Sequence, residues 1–153
     1  MIKVEVPYDQ GKMSFSIPAA VFAGTYSPRI SAEKPAESGA ALVAKALAHP
    51  IGSPALAELA RNRKSAVIIA SDHTRPVPSK ILMPALLQEL RHANPEMDIS
   101  ILIATGCHRK PTALELEQKF GPAIMAREKI ISHCCHRQAD LGFMGFLPSG
   151  GEL

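Results

Sequence analysis

Two apolar runs constrain this chain more than any other feature. Ser65-Ala66-Val67-Ile68-Ile69-Ala70 and Asp98-Ile99-Ser100-Ile101-Leu102-Ile103-Ala104 are short and continuous instead of strictly alternating. Runs of that kind suit strands covered on both faces, as in parallel sheets. Between them Leu82, Leu86, Leu90 and Ala93 recur at helical spacing over Lys80 to Ala93, with Asn94-Pro95 as a stop and Pro84 calling for a late start or a kink. Thr112-Ala113-Leu114-Glu115 has capping-box spacing and opens another helix that Gly121 can end, and Glu128 to Ser132 offers a third strand. The order strand, helix, strand, helix, strand over residues 65–135 predicts an α/β fold: a Rossmann-like parallel βαβαβ sheet with right-handed crossovers and helices on both faces.

Upstream, Ile2 to Tyr8 and Met13 to Ile17 alternate around the polar turn Asp9-Gln10-Gly11-Lys12, which predicts an N-terminal β-hairpin over residues 1–17 with Gly11 at the turn. Pro18 to Pro35 has little periodicity and reads as a connection. A helix is expected from Gly39 to Ala48 behind Ser38 as N-cap, and a second from Ser53-Pro54 to about Asn62. The ending, Leu147-Pro148-Ser149-Gly150-Gly151-Glu152-Leu153, reads as a turn leading into a further strand, so the expectation is one partial domain spanning 1–153. The open edge of such a sheet would favour a homo-oligomer.

A chain of 153 residues with 46% hydrophobic content has enough apolar side chains for one core, filled by aliphatics because Trp is absent and aromatics make up 5%. The same scarcity argues against an aromatic platform for nucleic acid. The net charge of +3 leaves no basic tract, Arg61-Asn62-Arg63-Lys64 being read as a solvated helix end. Cys107, Cys134 and Cys135 cannot all pair, which favours a reducing compartment. Met1-Ile2-Lys3-Val4-Glu5-Val6 alternates instead of forming a signal segment, and no apolar run approaches the roughly 20 residues of a membrane span. The expected location is the cytoplasm, with no membrane partner.

In sheets of this kind ligands bind beyond the carboxyl ends of strands. That nominates the loops beginning at Ser71, Gly106 and His133. Asp72, His73, Thr74 and Arg75 place an acid, an imidazole, a hydroxyl and a guanidinium in four consecutive positions, stiffened by Pro76 and Pro78. Arg presents a planar fork to a carboxylate or phosphate, and Asp can orient it or accept from a ligand hydroxyl. The plain alternative is a surface turn capped by Asp72 and paired with Arg75. Gly106-Cys107-His108-Arg109 offers close backbone approach at Gly106 and, in His108, the side-chain type that exchanges protons near neutral pH. Cys107, Cys134 and Cys135 with His108, His133 and His136 admit a structural zinc, although the spacing matches no common zinc module. No P-loop, dinucleotide fingerprint or nucleophile elbow is present.

Ser71-Asp72-His73-Thr74-Arg75-Pro76-Val77-Pro78 followed by Ala104-Thr105-Gly106-Cys107-His108-Arg109 resembles the paired motifs of the N-terminal domain of the lactate racemase family, which uses a nickel-pincer nucleotide. The likeness covers nearly the whole chain. It implies racemisation or epimerisation of a small 2-hydroxy acid by hydride transfer to that cofactor, with His108 as one of two acid/base histidines. It further implies that Asp72, Thr74, Arg75, Gly106 and Arg109 hold cofactor or substrate. The family's second acid/base His, its covalent Lys and its nickel-ligating His have no counterpart in these 153 residues, and Cys134 follows His133 where relatives usually carry Asp. The chain on its own is therefore expected to be incomplete as an enzyme. The alternative is a module that binds a nucleotide or carboxylate without turnover.

Overall fold

A computed structural model describes residues 1–28 and 34–153, so part of the expected connection between Pro18 and Pro35 lies outside the described residues. The chain divides into two units, Met1–Ala36 and Glu37–Leu153.

In the first unit β1 (Ile2–Tyr8) pairs antiparallel with β2 (Gly11–Ile17), from Ile2 opposite Ile17 to Tyr8 opposite Gly11. The hairpin was expected, but its turn is tighter. Only Asp9 and Gln10 connect the strands, and the left-handed position falls on Asp9, at φ +50°, instead of on Gly11. Asp tolerates that region better than most residues because its short side chain can bond locally.

The second unit is built on three parallel strands in the order β3 (Ser65–Ser71), β4 (Asp98–Ala104), β5 (Lys129–Ser132). Before them come α1 (Gly39–Ala48) and α2 (Leu56–Ala60). Ser38 caps α1 as expected, accepting from the Ala41 amide at 3.2 Å. Ser53 does not cap α2: its hydroxyl donates to the Pro54 carbonyl, and the helix starts two residues after Pro54. The crossover helix α3 (Ser79–Ala93) starts ahead of Pro84 and runs through it, so the expected late start is not taken, and Pro84 leaves its position in the ladder without a donor. Thr112 and Glu115 complete the capping box of α4 (Ala113–Phe120), and Gly121, at φ +86°, ends it. A further helix, α5 (Pro122–Arg127), follows at once. It was not anticipated, because six residues are too few to show a helical period, although Pro122 at its first turn is a normal start.

Parallel pairing aligns Ile68 with Ile101 and Ile101 with Ile130. Ile99, Ile101 and Ile103 thus form one row, buried against Met83, Leu87 and Leu90 of α3, Phe120 of α4 and Ile124 of α5. Ile101 and Ile103 are wholly inaccessible. The other side of β3 behaves differently: Val67 is 61% and Ile69 71% exposed. At the amino edge of the sheet Arg91 donates to the buried Glu128 at 2.6 Å, tying α3 to the entry of β5. At the chain's end Phe146 bridges Glu152 around a turn at Gly150; the expected turn is present, and this isolated bridge stands where a further strand was expected.

The core should respond unequally to truncation. Ile101→Ala is expected to lower the unfolding free energy by about 3 kcal/mol through lost burial and a cavity, whereas Val67→Ala should cost less than about 1 kcal/mol. Urea unfolding of the two variants measures the difference, and equal losses would mean that the Val67 face of the sheet is packed as tightly as the Ile101 face.

Candidate functional site

The two motif loops start side by side because the register sets Ser71 opposite Ala104, the last residues of β3 and β4. Asp72 follows Ser71 and is 2% exposed. One of its oxygens, Oδ1, accepts from the Thr74 amide at 3.0 Å and from the Thr74 hydroxyl at 2.7 Å. This is a local turn of the kind Asp favours. The other, Oδ2, lies 2.6 Å from Nδ1 of His108, 36 residues away in sequence. Both oxygens are thus used inside the protein. The Thr74 hydroxyl first, and His108 next, outweigh burial and hold the Asp72 carboxyl down at about 2, against an ordinary 3.8. An ionised carboxylate only accepts, so the ring nitrogen facing it must carry a proton. In neutral His108 the unprotonated nitrogen is then Nε2, on a side chain that is 49% exposed.

His108 and Asp72 line a cleft of about 500 Å³ together with Ser71, Arg75, Gly106 and Cys107. The Arg75 side chain is exposed and makes no hydrogen bond to the described residues. The Ser71 hydroxyl is buried and also lacks a partner. Gly106 has φ +56°, with open space where a Cβ would stand. The floor is fixed by Thr105, 2% exposed, whose hydroxyl donates to the His133 carbonyl at 2.9 Å and lies 3.3 Å from that residue's Nδ1. Four of the expected residues, Asp72, Arg75, Gly106 and His108, therefore meet in one cleft, with Thr74 bound behind Asp72.

Arg109 does not join them. Its guanidinium grips Glu115 with two bonds, Nη1 to Oε2 at 2.8 Å and Nη2 to Oε1 at 2.7 Å. The Glu115 carboxyl, which also accepts from the Thr112 amide, is held well below the usual carboxylate range, by Arg109 first. The same pairing raises the Arg109 guanidinium. The Arg109 guanidinium thus serves as a brace at the start of α4. Sequence reading singled out neither Ser71 nor Thr105 as a separate site residue, although both stand inside the quoted motifs. It also missed Lys119, whose ammonium donates to the Arg75 carbonyl at 3.4 Å and is depressed by burial, with the charge of Asp72 opposing. Nothing local to α4 marks that lysine.

Cys107, Cys134 and Cys135 are free thiols. Among the described residues no three His, Cys, Asp or Glu side chains are grouped to hold a metal ion, which removes the geometric basis for the structural zinc. Among the same residues no helix is long and apolar enough to cross a membrane.

Depression of the Asp72 carboxyl makes its bonds pH-dependent. A group lowered from 3.8 to about 2 by folding contributes stability that is complete above the unfolded value and is lost as pH falls through the folded one. Thr74→Ala should therefore be less stable than the wild type at neutral pH, and the gap should close between about pH 4 and pH 2. Denaturant unfolding across that range tests this, and a constant gap would contradict it.

Comparison with known proteins follows the same residues. The family profile described as "Lactate racemase N-terminal domain" matches residues 8–153. The chain is 40% identical over 153 residues to a lactate racemase of Thermoanaerobacterium thermosaccharolyticum and 41% identical over 159 aligned positions to one of Lactiplantibacillus plantarum. It covers 36% of the length of each, so it spans about a third of these relatives. The solved apoprotein structure of the Thermoanaerobacterium thermosaccharolyticum lactate racemase superposes with a TM-score of 0.82 at 38% identity, over 99% of this chain and 34% of that one. With its fold, its two motif loops and nearly its whole length matched, the chain belongs to the lactate racemase N-terminal domain family.

Proposed function

We propose that this chain forms the proton-transfer and anion-holding side of a 2-hydroxy acid racemase or epimerase, a small hydroxy acid such as lactate being the substrate. The observation that carries the reading is the Asp72–His108 contact at 2.6 Å, set at the wall of a cleft that also holds the Arg75 guanidinium, unpaired among the described residues. Both Asp72 oxygens are engaged, Oδ1 by Thr74 and Oδ2 by His108, so its role is to position His108, and that of Thr74 is to position Asp72. His108 takes the substrate hydroxyl proton on Nε2 as the carbon–hydrogen bond is broken, and returns it when that bond is remade. An ionised Asp72 against Nδ1 steadies the imidazolium present between those two events. Arg75 holds an anion, the substrate carboxylate or a phosphate, through its planar donor fork. Gly106 lets the ligand approach the backbone, where a side chain would fill the space.

The resemblance of the paired motifs implies a nickel-pincer nucleotide, and the cleft suits the anionic part of such a group: among the described residues Arg75 is an unpaired donor and Ser71 a buried hydroxyl without a partner. When bound, the cofactor supplies the hydride acceptor and donor that no protein side chain can provide. Metal-ligating residues are not grouped among the described residues, so nickel would be held by parts of the enzyme that relatives carry beyond the matched third.

The test joins this chain to the remaining portion of the Thermoanaerobacterium relative and loads the product with cofactor. It should interconvert D- and L-lactate, and His108→Ala should lower kcat by about 10²- to 10⁴-fold. Full activity in that variant would remove the role given to His108. The free Arg75 also favours a second reading, anion binding without turnover by the chain alone. Calorimetric titration with nucleotides and hydroxy acids should then give heat that Arg75→Ala abolishes, and identical heats in both proteins would exclude it.

A further inference from the structure

The residues that follow Asp72 and His108 in sequence, His73 and Arg109, converge on a third element. Both face the carboxylate of Glu115 on α4: Arg109 donates to it twice, at 2.8 and 2.7 Å, and Nε2 of His73 lies 3.7 Å from Oε1. The longer separation is that of an ion pair, beyond hydrogen-bond reach. Nδ1 of His73 is buried and has no partner among the described residues, which leaves Glu115 as the polar anchor of that ring. One helical turn on, Lys119 donates to the Arg75 carbonyl at 3.4 Å. Residues four apart share a helix face, so one stripe of α4 meets both motif loops at His73, Arg75 and Arg109. The neighbouring stripe carries Leu116 and Phe120, packed against the core, and the Thr112 capping box fixes the first turn. The helix is thus held by the core, and whatever its polar stripe grips is held with it. A cleft of about 330 Å³, lined by His73, Arg75, Val77, Glu115, Gln118 and Lys119, opens between loop and helix. Across that gap polar contacts, instead of close packing, set where Arg75 stands.

We propose that Glu115 and Lys119 are positioning residues that set the distance between the Arg75 guanidinium and the His108 imidazole. The effect on turnover rests on the roles proposed above for Arg75 and His108; the mechanical coupling does not. A 2-hydroxy acid carries its carboxylate and its hydroxyl on adjacent carbons, so the fork that holds the one and the nitrogen that takes the proton of the other must keep a fixed separation. The strand register fixes where both loops begin, and Asp72 fixes the His108 ring. Arg75 lies three residues past Asp72, and its guanidinium makes no bond to the described residues, so its place depends on a hold from outside. Lys119 supplies that hold at the Arg75 carbonyl. Glu115 secures His73 in the same loop and Arg109 beside His108 in the other. Neither Glu115 nor Lys119 lines the cleft that His108 and Asp72 share, so each acts through the loops and not on a ligand. One helix thereby refers the anion-holding and the proton-accepting group to a single frame.

The experiment compares Glu115→Gln, which keeps a capping-box acceptor but drops the charge, with Lys119→Met, which keeps the apolar stem but drops the donor. Lys119→Arg restores a donor, and Glu117→Gln is a control at an exposed position of the same helix. In the chain alone, Glu115→Gln should shift the nitrogen-15 side-chain signals of both Arg75 and His108, and Lys119→Met those of Arg75 only. Lys119→Arg and Glu117→Gln should leave both in place, with thermal unfolding of every variant recorded as a check on folding. Either Glu115→Gln or Lys119→Met, folded and with both sets of signals unmoved, would overturn the proposal without touching the racemase reading. In the cofactor-loaded fusion described above, Lys119→Met should raise KM for lactate about tenfold with kcat kept, as lost ground-state holding does. Glu115→Gln should lower kcat/KM by about 10²-fold, the scale of a misplacement near 1 Å. Lower stability with KM and kcat unchanged in both variants would reduce the two residues to structural braces and overturn the proposal as well. A wild-type fusion without activity would count against the racemase reading, and the spectra of the chain alone would then decide the coupling.

Discussion

A buried carboxylate needs its acceptor sites filled, and the region around the cleft is organised by how Asp72 fills them. Asp72 is almost inaccessible and sits where β3 gives way to a loop, yet it stays charged because Thr74 donates twice to one oxygen and His108 meets the other. Without those partners the charge would be costly at that depth. Thr74 supplies its share from two residues away, but His108 must come from the next strand's loop. The contact can therefore exist only if β3 and β4 are parallel neighbours in the observed register. A shift of one residue would turn Ile99, Ile101 and Ile103 out of the core. Aliphatic packing thus sets the register, the register sets the two loops together, and Asp72 fixes the ring.

The remaining braces act on the same loops from outside. Thr105 hangs the β4 loop on the backbone of the β5 loop at His133, and Arg109 clamps Glu115 where α4 begins. These contacts take up groups that could otherwise have faced a ligand. Among the described residues, what stays free in the cleft is one guanidinium, one buried hydroxyl, the Cys107 thiol and the outer nitrogen of one imidazole. That set suits an anion whose neighbouring hydroxyl gives up a proton.

Parts governed by short-range pattern were legible in the sequence. β4 occupies the expected Asp98–Ala104, and the Thr112–Glu115 capping box forms as its spacing required. The end of α2 nearest Pro54 and the turn at Asp9 departed from expectation because hydroxyls and small turns have several local partners of similar energy, and packing decides among them. α5 was too short to carry a period. Within the site, proximity of the two motif loops followed from strand order. The split of roles did not, since only tertiary contact distinguishes an Asp that faces a ligand from one consumed by His108, or an Arg that is free at 75 from one tied down at 109.

The proposed proton transfer depends on the protonation pattern of one ring. Nitrogen-15 resonance of the His108 side chain, recorded at a pH where an imidazole is neutral, reads that pattern directly. An ionised Asp72 at Nδ1 predicts a proton on Nδ1 and a bare Nε2, and Asp72→Asn should disturb that preference. A His108 ring that carries its proton on Nε2 in the wild-type chain would contradict the account, because the nitrogen meant to receive the substrate proton would already hold one.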